Sequence, residues 1–229
     1  MLMENTWRTL HLDLSLMVDK HLKYLKDAPL VIIDGNLPQN TMNYILSLCH
    51  QNKKPVFFEP TDRRKACKSF QESTQGQPLA YSSPNISELR AMAKFIKPNC
   101  IVDSSTQFNE IIELCKIVSQ CVNVLIITLG SKGVITVHRL NEKGNECLHV
   151  RLYPATALQQ VENVSGAGDC FSSGFIHGSL LGLDESQCVS IGFEAAKHAL
   201  LCKQTVPPIF SFKSNLQAAL FELSEYEIK

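Results

Sequence analysis

The chain has 229 residues, and its 22 lysines and arginines balance 22 aspartates and glutamates, so the formal charge is zero. A neutral chain has no global basic field, which excludes purely electrostatic binding of nucleic acid or of an anionic membrane, although backbone N–H groups can still build a local anion site. Hydrophobic residues make up 45% of the sequence, enough to bury a sizeable core, and no apolar run reaches the roughly 18–20 residues that a membrane-crossing helix needs.

Residues 12–27 read as a helix with Leu14, Met17, Val18, Leu22 and Leu25 on one side. A short buried strand follows at 30–33, then a helix at 40–51 and a strand at 56–58. A third helix starts near Ile86, after a short strand, and a fourth spans 107–120. The clearest strand is the β-branched run 124–128. Such uninterrupted runs suit strands covered by helices on both faces, and βαβα order points to an open, mostly parallel α/β sheet. After Gly133 the pattern changes. Two strands, 134–138 and 147–152, flank the polar stretch 141–145 and read as an antiparallel hairpin. Helices at 167–181 and 185–202 and a terminal helix at 212–222 complete a single domain, 1–229.

The nine cysteines are scattered singly with no C-x-x-C pair, so neither a zinc ribbon nor a thioredoxin motif is supported. Reduced thiols and a cytoplasmic, membrane-free protein are the expectation.

Three segments carry chemistry. The first is Asn163-Val-Ser-Gly-Ala-Gly-Asp169, where two glycines lead into a helix. Its N–H groups and helix dipole converge on one spot, with Asp169 beside it. A carboxylate there can take a proton from an attacking hydroxyl while amides stabilise charge on a phosphoryl group. A plain glycine turn with an acid in the first helical turn has the same sequence. The second is Ser83-Pro-Asn-Ile-Ser-Glu88, in which Asn85 and Glu88 have the spacing of a capping box. The third is Ile127-Thr-Leu-Gly-Ser-Lys-Gly133, a tight turn after the clearest strand. It lacks the G-x-x-x-x-G-K-[ST] of a P-loop, and no G-x-G-x-x-G opens the first βα unit as in a dinucleotide-binding fold.

Together, in this order, the segments closely resemble the signatures of the PfkB, or ribokinase, family of carbohydrate kinases. The resemblance implies a ribokinase-like three-layer α/β/α fold and ATP-dependent phosphorylation of a sugar or nucleoside hydroxyl. Asp169 falls on the catalytic base and Gly166, Ala167 and Gly168 on the anion hole. Asn85, Thr128, Gly130, Lys132 and Gly133 fall on nucleotide-binding positions, and Glu88 on the residue that organises Mg²⁺ through water. Asn163 and Val164 replace the usual Asp and Thr, residues that help hold a monovalent cation in members that need one.

The stretches 29–38 (PLVIIDGNLP) and 55–66 (PVFFEPTDRRKA) look most like the pseudouridine kinase branch; Lys65 and Ala66 match its pattern, while Thr61 and Asp62 depart from it. That branch can be linked to a pseudouridine-5′-phosphate glycosidase. Nothing before Pro29 resembles the family's first third, with its sugar-binding motif and lid. The expectation is therefore an N-terminally truncated fold with an exposed sheet edge. The alternative to a kinase is a catalytically impaired nucleotide-binding remnant or isoform of one.

Overall fold

The computed structural model describes residues 14–71, 79–103, 105–142, 145–208 and 222–227. In chain order the elements are α1 (Leu14–Lys20), α2 (Leu22–Asp27), β1 (Val31–Asp34), α3 (Gln39–Gln51), β2 (Val56–Glu59), β3 (Leu79–Ser82) and α4 (Ile86–Ile96). They continue with α5 (Gln107–Val118), β4 (Val122–Thr128), β5 (Val134–Glu142), β6 (Asn145–Tyr153), α6 (Ala167–Leu180), α7 (Glu185–Leu200) and β7 (Glu222–Glu227). The strands form one seven-stranded sheet whose spatial order follows the chain, β1 to β7. β1 to β4 are mutually parallel, and β5, β6 and β7 add antiparallel.

Successive residues of the inner strands point to opposite faces, and both sets are apolar. Phe58, Leu125 and Ile127 pack with α3, α4 and α5 through Met42, Leu46, Leu89, Met92 and Ile112. Their neighbours Phe57 and Ile126 pack on the other face with Phe171, Phe175 and Val189 of α6 and α7. This is the three-layer α/β/α arrangement expected of strands without a polar side. Each large side chain buried in it contributes about 1.5–3 kcal/mol. Helices α6 and α7 approach closely because glycines meet there: a Cβ on Gly174 would lie 2.9 Å from the Cα of Gly192.

Three elements differ from expectation. The helix expected at 12–27 is two short helices broken at His21, which caps α2 with no side-chain hydrogen bond. Neither helix buries a residue, so little packing energy holds a continuous one. The hairpin is longer than expected, pairing Glu142 with Asn145, because backbone bonds extend it through the polar stretch. The terminal helix at 212–222 lies outside the described residues except Glu222, which opens strand β7. Among the described residues, no helix is long and apolar enough to cross a membrane. All nine cysteines are free thiols.

Candidate active site at the carboxyl ends of the parallel strands

The four parallel strands end on Asp34, Glu59, Ser82 and Thr128. The carboxyl ends of parallel strands are where open α/β sheets bind ligands.

Two of the three sequence motifs meet there directly. Asn85 forms an isolated parallel bridge with Thr128, and the Thr128 N–H donates to the Pro84 carbonyl at 3.0 Å. Asn85 caps α4, its side chain accepting from the N–H groups of Ser87 at 2.9 Å and Glu88 at 3.1 Å. Glu88 Oε2 accepts from the Asn85 N–H at 2.8 Å, so the capping box is complete. Glu88 is buried, and burial followed by the nearby charges of Asp62 and Asp169 pushes its carboxyl above the ordinary range, against the hydrogen bonds from Asn85.

The turn after β4 is shaped by its glycines. Gly133 has φ +107°, and a Cβ there would lie 2.0 Å from the Tyr153 carbonyl oxygen, so only glycine lets the hairpin start so close to β6. Gly130 has φ +61° with open space around it. Lys132 is directed elsewhere: its Nζ donates to Gln107 Oε1 on α5 at 2.7 Å.

The third motif enters from the opposite layer. Gly166, at φ +78°, caps α6 in the left-handed conformation and packs against Thr205, where a Cβ would approach within 2.6 Å. Asn163 closes the loop by accepting from the Ser165 N–H at 2.9 Å. The Ala167 N–H turns back to the Val164 carbonyl at 3.4 Å. The N–H groups of Gly168 and Asp169 have no acceptor among the described residues, as the first turn of a helix requires. Asp169 itself is exposed, and a Cβ added at Gly168 would meet nothing within 4 Å. These amides therefore open onto free space beside a carboxylate.

Glu59 ties the motifs together, and the sequence reading did not single it out. Its Oε2 accepts hydrogen bonds from Ser172 at 3.1 Å, one helical turn beyond Asp169, and from Ser83, just before Asn85. Burial is the largest cause that raises its carboxyl to about 7; the serine hydrogen bonds oppose this, and the charges of Glu88 and Asp169 reinforce it. Its signal in the sequence was position: an acid ending an apolar strand, Val56-Phe-Phe-Glu59, in a parallel sheet.

Among the described residues, no lysine or arginine is hydrogen-bonded to Glu59, Glu88 or Asp169. Three neighbouring carboxyls without a cation, two of them, Glu59 and Glu88, held above the ordinary range, and with serine hydroxyls beside Glu59, are a donor set compatible with a hard divalent ion that keeps most of its waters. The described residues hold no group of three His, Cys, Asp or Glu side chains near enough to ligate one ion directly. Any divalent ion at this cluster would therefore be held mainly through its waters.

The two stretches 29–38 and 55–66 also converge at this end of the sheet. The Gly35 N–H lies 2.9 Å from the Glu59 carbonyl and 3.0 Å from Thr61 Oγ1. Lys65 Nζ donates to Asn36 Oδ1 at 2.8 Å, and Lys68 Nζ to the Gly35 carbonyl at 2.9 Å and to the Leu37 carbonyl. Thr61 has φ +70°, unusual for a β-branched residue.

The sequence profile described as pfkB family carbohydrate kinase matches residues 2–210. The pseudouridine kinase of Arabidopsis thaliana is 24% identical over 81% of this chain and 60% of its own length. The ribokinase of Lactococcus lactis is 26% identical over 75% of this chain and 47% of its own. Among solved structures, Arabidopsis thaliana ribokinase complexed with ribose and ATP superposes with a TM-score of 0.62 at 20% identity, over 82% of this chain and 56% of that one. The chain thus spans about half to three fifths of the proteins it is similar to.

Proposed function

The chain belongs to the pfkB family of carbohydrate kinases, and from that premise we propose that it transfers the terminal phosphoryl group of ATP to a hydroxyl of a nucleoside or sugar, with a pseudouridine-type nucleoside as acceptor. One observation carries the reading: an exposed carboxylate, Asp169, beside the free amides of Gly168 and Asp169, across from the carboxyls of Glu59 and Glu88.

Asp169 accepts the proton of the acceptor hydroxyl as its oxygen attacks phosphorus. The N–H groups at the start of α6 stabilise negative charge on the phosphoryl oxygens, needing no reorganisation because they are already free. Asn85 and the 128–133 turn line the nucleotide, with Gly130 and Gly133 keeping the backbone low. When bound, Mg²⁺ supplies neutralisation of the ATP phosphates. Glu88 would hold it through water, and Glu59 lies in the same acidic cluster. Asn163 and Val164 offer one amide and one apolar side chain where a monovalent cation would want oxygens, so activity independent of potassium is part of the proposal.

The choice of acceptor rests on the joined 34–37 and 60–66 loops. Thr61, Lys65 and Asn36 give a polar rim beside the acidic cluster, suited to ribose hydroxyls and the edge of a base. The 24% identity to a pseudouridine kinase supports the same choice.

The deciding experiment assays the 229-residue chain with ATP and Mg²⁺ against pseudouridine, uridine, adenosine, ribose and fructose, beside Asp169→Asn. Pseudouridine should be the preferred acceptor. The variant should lose about 10²–10⁴-fold in turnover while ATP affinity is unchanged. Equal turnover in the variant removes Asp169 from the role of base. A chain that binds ATP and phosphorylates nothing in the panel is a nucleotide-binding relative rather than a kinase.

A further inference from the structure

Where the turn 62–67 meets α4, the two enclose a groove of about 450 Å³ whose lining includes none of Glu59, Glu88 and Asp169. Arg63 and Cys67 stand on one wall. The other is a single stripe of α4 at helical spacing, Ser87, Arg90, Ala91 and Lys94, closed at its end by Phe95. The walls are joined by the Cys67 thiol, which donates to the Ala91 carbonyl at 3.3 Å.

The charge in this groove is unbalanced although the chain is neutral. Asp62 is occupied by Arg64 and Lys65, and Lys68 by the Gly35 and Leu37 carbonyls. Arg90 is held by Glu110 through two hydrogen bonds of 2.6 and 2.8 Å, which orient its guanidinium. Arg63 and Lys94 have no carboxylate partner among the described residues. Three cations against the one carboxylate of Glu110 leave a surplus of two positive charges (3 − 1 = 2). The Ser87 hydroxyl, also without a partner among the described residues, adds a donor at the mouth.

We propose that this groove is a binding site for a small phosphomonoester, separate from the transfer site. A phosphomonoester carries close to two negative charges at neutral pH and three strong acceptor oxygens, which match the surplus and the donors of Arg63, Lys94 and Ser87. Its organic part lies against Ala91, Cys67 and the face of Phe95, which is 43% exposed. The volume suits a nucleoside monophosphate or sugar phosphate and falls in the range of small-molecule sites. Binding here needs no chemistry at Asp169, so this inference stands or falls independently of the kinase reading.

Calorimetric titration of the full chain with uridine 5′-monophosphate, with uridine as the phosphate-free control, tests it. The nucleotide should bind and uridine should bind at least about tenfold more weakly. Arg63→Gln/Lys94→Gln should weaken the nucleotide by roughly tenfold or more, with an unchanged circular dichroism spectrum. Lys23→Gln/Lys26→Gln, which removes the same charge from the exposed face of α2, should leave affinity within about twofold, as a distant screened charge must. Equal affinity of the Arg63/Lys94 variant and the parent overturns the proposal and assigns the binding to the transfer site. Equal loss in both double variants reduces the groove to nonspecific charge and also overturns it. A phosphoserine peptide that binds more tightly than the nucleotide overturns the small-molecule assignment.

Discussion

Glu59 is a carboxyl satisfied by two serines and opposed by two neighbouring acids, so its protonation state is set by what else occupies the cluster. Its carboxyl is raised from 4.5 to about 7, so the folded chain retains a proton that the unfolded chain releases between those values. The stability it contributes is fully present below about pH 4.5 and is lost as pH rises through about 7. Mg²⁺ has the opposite preference, since it needs ionised carboxylates. The rise in melting temperature on adding MgCl₂ should therefore grow between pH 6 and pH 8. In EDTA at pH 8, Glu59→Gln should stabilise the chain by up to about 3 kcal/mol and lose most of the pH dependence of the Mg²⁺ response. A Mg²⁺ shift that is flat across this window in the parent chain would remove Glu59 from the metal's surroundings. At this scale the sequence was partly legible. Asn85 and Glu88 allowed a capping box or a metal-organising pair; the box forms. Glu59 was not visible because its role comes from strand ends brought together by the sheet, which local spacing does not encode.

Among the elements, α7 packs through its apolar face, and one residue makes its polar link to the hairpin. Glu185, in the first turn of α7, accepts from Thr136 Oγ1 at 2.8 Å, Tyr153 OH at 2.7 Å and Arg151 Nη1 at 3.0 Å, and pairs with His138. Burial raises its carboxyl most, but the hydrogen bond and charge of His138 and the bonds from Tyr153 and Thr136 outweigh this and bring it down to about 2. The sign is the reverse of that for Glu59: this stabilisation is present above the ordinary carboxylate range and is lost as pH falls towards about 2. Glu185→Ala leaves Arg151 and Tyr153 without their acceptor and should cost about 3 kcal/mol, measured as a drop in urea midpoint. Glu185→Gln, which keeps an acceptor, should cost less. Equal and negligible losses in both would mean that α7 is held by its apolar face alone. This contact was illegible in the sequence because 49 residues separate Thr136 from Glu185. The hairpin strands themselves were recognised at their apolar cores. Their polar ends were not, because exposed strand residues need only backbone partners and leave no alternation to read.

For the whole molecule, the alternation of apolar strands and amphipathic helices was enough to anticipate the layered sheet, since fully apolar strands demand cover on both faces. It could not reveal β7, whose sequence Glu222-Leu-Ser-Glu-Tyr-Glu227 joins an edge through backbone pairing to β6. The opposite edge has the larger consequence. β1 pairs only with β2 among the described strands, and Ile32 is 53% exposed there, whereas its neighbour Ile33 is 5% exposed and faces the core with α3. An open strand with an apolar outward residue is a template for pairing with another chain. The chain should therefore self-associate as its concentration rises, and Ile32→Lys should suppress this in sedimentation velocity while changing stability by less than about 0.5 kcal/mol. Ile33→Lys, one residue along, puts the same charge into the core and should cost at least about 3 kcal/mol, a large share of the roughly 5–15 kcal/mol that holds such a domain together. Association unchanged by Ile32→Lys would mean that other surfaces join the molecules and that the edge is protected. The contrast between adjacent residues makes the test specific, because only the strand's period of two separates a solvent-facing position from a buried one.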